Sequence, residues 1–103
     1  MPPLEFYRDP QGNPRARGDD KRLCRFLETD LQGSVEVTQS LLQLLSNPAI
    51  HLDRDRDFHG NAHTVSLGAT MATIECHFDD GPDRRVSRSE LQRAVAAWLE
   101  FIR

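Results

Sequence analysis

The residues from Ser87 onward constrain the fold of this chain more than any other stretch. Ser87-Arg88-Ser89-Glu90 has the form of a capping box, in which the serine hydroxyl accepts the Glu90 amide and the glutamate reaches back. Behind it Leu91, Ala94, Val95, Trp98, Leu99 and Ile102 recur at steps of three and four. That spacing lays one broad apolar stripe along a helix, too wide to leave in water. The chain must therefore supply a second apolar layer for this helix to cover.

The layer is legible between Ala62 and Phe78, where the pattern has period two. His63, Val65 and Leu67 fall on one face of a strand, and Ala62, Thr64 and Ser66 on the other. Gly68-Ala69 permits a turn, after which Ala72, Ile74, Cys76 and Phe78 alternate with Met71, Thr73, Glu75 and His77. This predicts a half-buried hairpin. Asp79-Asp80-Gly81-Pro82-Asp83 is turn chemistry, and Arg84-Arg85-Val86 adds a short strand. Near the start, Leu4-Glu5-Phe6-Tyr7-Arg8 and Pro14-Arg15-Ala16-Arg17 flank a turn-forming Asp9-Pro10-Gln11-Gly12-Asn13, which predicts another hairpin.

Two helices are expected between the hairpins. Asp20 ends a loop as an N-cap, Leu23, Phe26, Leu27 and Leu31 follow at helical spacing, and Gly33 supplies the stop. Ser34 caps the next helix, whose stripe is Val35, Thr38, Leu41, Leu42 and Leu45, and Asn47-Pro48 ends it. The order ββααβββα defines an α+β fold. It is an antiparallel sheet of about five strands (two hairpins plus a short strand), with three helices packed mainly on one face. Residues 1–103 form a single domain in this reading.

Composition narrows the function classes. Apolar residues make up 38% and charged residues 28%, enough apolar material for one core and too much for disorder. A net charge of -3 argues mildly against a sequence-independent nucleic-acid binder, which needs a basic face. No run approaches the ~18 apolar residues of a membrane span, and Met1 to Asp9 has no secretory pattern, so a cytoplasmic location is expected. Cys24 and Cys76 lack redox or metal spacing and read as free thiols used as small hydrophobes.

Catalytic and metal chemistry finds little support in the pattern. His59 and His63 are four apart, but Gly60-Asn61 and a strand separate them, so their rings diverge. His77 and Cys76 are strand neighbours that face opposite sides. Asp53-Arg54-Asp55-Arg56-Asp57 fails as a calcium loop, because Phe58 stands where glycine is needed and Thr64 where glutamate is needed. There is no nucleophile elbow, phosphate loop or dinucleotide fingerprint. No enzyme activity, metal or cofactor is expected. A hydrolase using His59 or His63 would instead need a concave pocket where imidazole, carboxylate and nucleophile meet.

Three segments together resemble the YacL-like family of small bacterial proteins. They are Leu4 through Ala16, Gly60-Asn61-Ala62-His63-Thr64-Val65-Ser66-Leu67, and Ser89 through Ile102. His63 stands where that pattern implies an aromatic residue. Many relatives of the pattern resemble immunity proteins of contact-dependent growth inhibition. The resemblance implies a small cytoplasmic binder that neutralises a cognate toxin C-terminal domain, often a nuclease. The expected state is a monomer or a 1:1 complex with the toxin, with no direct nucleic-acid partner and no membrane partner. A nuclease cleft is basic, so acidic loops suit it. Asp53, Asp55 and Asp57 form one candidate toxin-binding cluster, and Asp79, Asp80 and Asp83 the other. The alternative is a cytoplasmic adaptor or structural protein with no toxin partner.

Overall fold

The computed structural model describes residues 4–46, 57–78 and 83–103. They form an α+β arrangement of three helices and two antiparallel sheets. The hairpin of β1 (Glu5–Arg8) and β2 (Pro14–Arg17) is a sheet by itself. Its turn is held by Asp9, whose carboxylate accepts the amides of Gln11 at 3.0 Å and Asn13 at 2.9 Å. The Asn13 bond is the main reason the Asp9 carboxyl sits below its ordinary pKa. Gly12 supplies the positive φ of 84° that the turn requires.

Helix α1 (Lys21–Phe26) starts where expected, with the Asp20 carboxylate accepting the Leu23 amide at 3.1 Å. The same carboxylate pairs with Arg84 Nε at 3.0 Å and ties the helix start to the far end of the chain. Beyond Phe26 the helix widens into a π-helical turn over Leu27–Leu31. The wider turn buries Asp30 alongside Leu27 and Leu31. At its end Gln32, not Gly33, takes the positive φ of 51°. The reason is Trp98, whose indole N–H donates to the Gln32 carbonyl at 2.8 Å and fixes that peptide in place.

Helix α2 (Val35–Ser46) buries Thr38, Leu41 and Leu45 of the stripe read from the sequence and leaves Val35 and Leu42 half-buried. Helix α3 (Arg88–Ile102) begins at Ser87, which accepts the Glu90 amide at 3.0 Å, and buries Leu91, Val95, Trp98 and Leu99. The two helices pack on each other, and α3 also meets the larger sheet. Arg88 is itself buried beneath them. Its guanidinium donates to the Leu44 and Leu45 carbonyls at 3.3 and 3.1 Å, closing the α2 C-terminus, and to Gly68 O at 3.0 Å.

The larger sheet has the order β3-β4-β5-β6, from Phe58–His59, His63–Leu67, Met71–Cys76 and Arg84–Ser87. β3 is an addition to the expected hairpin and short strand. Phe58 anchors it, meeting Phe26 edge-on with ring centroids 5.9 Å apart. Val65, Ala72, Ile74 and Val86 form the inner face and join the helical residues in one core. Alternation predicts Phe78 on that face too. Instead β5 stops at Cys76, because β4 begins at its partner His63, and Phe78 runs past the ladder to 79% exposure.

Candidate functional site

Two histidine arrangements flank strand β4, one on each side. On the inner face His63 is wholly buried and meets Asp30, with Nδ1 3.0 Å from Oδ1. The carboxylate also accepts the His63 backbone amide at 2.9 Å and stands beside the Thr29 hydroxyl at 2.8 Å. One side chain of the π-helical turn therefore clamps the start of β4. Gly60 makes the approach feasible, since a Cβ there would fall 2.0 Å from Asp30 Oδ2. The imidazole stands edge-on to Phe26 at 5.8 Å, and its Nε2 is buried with no hydrogen-bond partner.

This pair unites an imidazole with a carboxylate, as the hydrolase alternative requires, but it does so inside the core. The 810 Å³ cleft lies elsewhere, between β2, α1 and the start of β6, and His63 does not line it. Its lining mixes Arg17, Lys21, Arg22, Arg25 and Arg84 with Asp19, Asp20, Glu28 and Asp83. Several of these charges are already engaged. Arg17 pairs with Glu5 at 2.7 Å, Arg84 with Asp20, and Glu28 accepts the Ala16 amide at 2.8 Å.

The outer face of β4 carries the second arrangement. Thr64 is paired with His59 of β3 on one side and Glu75 of β5 on the other. Its Oγ1 lies 2.6 Å from His77 Nε2 and 3.4 Å from His59 Nδ1. Ser66 and Thr73 continue the face, opposite one another in the register, and Arg85 follows on β6. Beside it stands Phe78, its ring edge-on to His77 with centroids 6.3 Å apart. His59, Glu75, His77 and Phe78 are all exposed.

Of the acidic residues expected to bind a partner, Asp53, Asp55, Asp79 and Asp80 lie outside the described residues. Asp57 is half-buried and Asp83 exposed. Asp57 precedes β3 and Asp83 precedes β6, so the two stand at opposite edges of the four-stranded sheet. The two edge strands lie three strand spacings apart, about 14 Å. Sequence reasoning did not find the Thr64 cluster. The signal was present only as a threonine in β4 and two histidines, one in β3 and one just past β5, and the register was needed to join them.

Among the described residues no group of three or more His, Cys, Asp or Glu is placed to hold a metal ion. Both cysteines are free. No helix among those residues is long and apolar enough to cross a membrane. No family model, curated protein or solved structure matches the chain.

Proposed function

We propose that the chain works in the cytoplasm by binding another protein rather than by catalysis, and that its partner is the toxin domain of a contact-dependent growth inhibition system. Exposed Phe78 carries this reading. It directly precedes Asp79 and Asp80 in sequence, and exposed Asp83 follows five residues after it. Burying a phenylalanine side chain in a partner is worth about 1.5–3 kcal/mol. An aromatic anchor with a charged rim is the pattern of residues that dominate protein interfaces. Carboxylates that follow it in sequence suit the basic cleft of a nuclease and speed encounter with it. The toxin itself is the partner that the family resemblance implies.

Co-expression with a candidate toxin C-terminal domain tests the proposal. The two should co-purify one to one, and the chain should restore growth. Phe78→Ala should speed dissociation tenfold or more. Replacing Asp79, Asp80 and Asp83 with asparagine should slow association and flatten its salt dependence. A chain that neither co-purifies nor rescues growth refutes this reading.

A further inference from the structure

We infer that His59 and His77 form a surface site for a divalent transition cation of the zinc, nickel or copper class. The site stands on its own observation and does not depend on the toxin-binding reading. Two imidazole nitrogens, from His59 in β3 and from His77 just past the end of β5, converge on one hydroxyl, Thr64 Oγ1, at 3.4 Å for His59 Nδ1 and 2.6 Å for His77 Nε2. They are therefore no farther apart than those two contacts laid end to end. The Thr64 hydroxyl donates to one ring at a time and accepts from a protonated nitrogen of the other, so it holds the two rings together on this face. A cation bonded to both nitrogens at about 2.0–2.1 Å would engage both lone pairs at once.

The backbone holds the two histidines in register. His59 pairs with Thr64 in the β3–β4 ladder, and the Gly60 amide donates to His63 O at 2.8 Å just beyond it. The His77 amide donates to Ala62 O at 2.8 Å, a single backbone bond just beyond the last ladder pair His63 and Cys76. Both rings are exposed, so closing them on an ion needs only side-chain rotation. Glu75, exposed and directly across from Thr64, adds a carboxylate to the same face and favours a cation there. Imidazole selects zinc, nickel and copper over magnesium or calcium. Two protein ligands leave the remaining positions to water, so the site is an open one.

Calorimetric titration of the full chain with Zn2+ alone tests this. One ion per chain should bind at sub-millimolar concentration, and Mg2+ should not compete. His59→Ala and His77→Ala should each weaken binding tenfold or more, with circular dichroism confirming that both variants fold. The ring-nitrogen resonances of both histidines should shift together as zinc is added. Absence of binding up to about 1 mM Zn2+, or binding that persists in the double variant, overturns the assignment. An ion that moves only one of the two rings overturns it as well.

Discussion

The Asp30 carboxylate holds His63 twice, by its imidazole Nδ1 at 3.0 Å and by its backbone amide at 2.9 Å. Both side chains have no solvent exposure. Breaking such a pair from one side strands a buried polar partner, whereas replacing both sides removes the demand altogether. Asp30→Ala should therefore cost about 3–5 kcal/mol. His63→Phe leaves Asp30 only its backbone and Thr29 contacts. The double variant should cost clearly less than the sum of the two. Urea unfolding of all four proteins measures the coupling, and strict additivity would show that the pair is energetically inert.

Gly60 is a second test of the same contact. Its missing Cβ is what allows Asp30 to reach β4, since the added carbon would overlap Oδ2 and lie 2.7 Å from the carboxyl carbon. Gly60→Ala should therefore destabilise by about 2–4 kcal/mol, comparable with losing part of the pair itself. In an Asp30→Ala background the same change should cost far less. Thermal melts of the single and double variants separate this steric effect from a loss of backbone freedom.

At the end of the π-helical turn, Gln32 holds a φ of 51° that glycine adopts without strain. Gln32→Gly should raise stability by about 1 kcal/mol, because the relieved strain outweighs the added freedom of the unfolded chain and the loss of an exposed bond to Thr29 O. Trp98→Phe should do the opposite, leaving the Gln32 carbonyl without its donor and costing about 1–3 kcal/mol before any packing loss. Chemical denaturation of each variant reads these changes as shifts in the midpoint. A destabilised Gln32→Gly protein would show that the conformation is not strained.

Arg88 closes the C-terminus of α2 by donating to Leu44 O and Leu45 O while also holding Gly68 O. Arg88→Met keeps much of the aliphatic volume and removes every donor. Three buried or half-buried carbonyls then lose a partner, and about 2–4 kcal/mol should go with them. Arg88→Lys should recover only part, because one ammonium cannot reproduce the planar fork. Hydrogen exchange should show the last turn of α2 fraying first in the methionine variant.

What the sequence disclosed follows a physical division. The caps at Asp20 and Ser87, the α2 and α3 stripes and the buried Trp98 depend on near neighbours, so spacing alone revealed them. Asp30 and Arg88 carry no local signal of burial, because what buries them lies far along the chain, at His63 and at Gly68. Phe78 follows the alternation of β5, yet the ladder ends where β4 runs out. The Thr64 cluster needed the same long-range register. His59 and His77 are 18 residues apart, a spacing with no meaning until β3, β4 and β5 lie side by side.

The two cysteines should differ in reactivity, and the cause lies mainly at Cys24. Burial pushes its thiol pKa up, and the carboxylates of Asp20 and Glu28 push in the same direction. The neutral thiol is therefore favoured in the native state. Cys76 sits half-buried at the end of β5. A disulfide reagent at pH 8 should label Cys76 rapidly and Cys24 only on a timescale set by opening of the fold. The sign of the linked stability change follows from the raised value. Below about pH 9 the thiol is protonated in both states and its contribution is intact. Above that the unfolded thiol ionises first, so stability falls as pH rises towards the native value. Cys24→Ala should flatten this alkaline loss without altering stability trends between pH 6 and 8, whereas an unchanged alkaline slope would place the titrating group elsewhere.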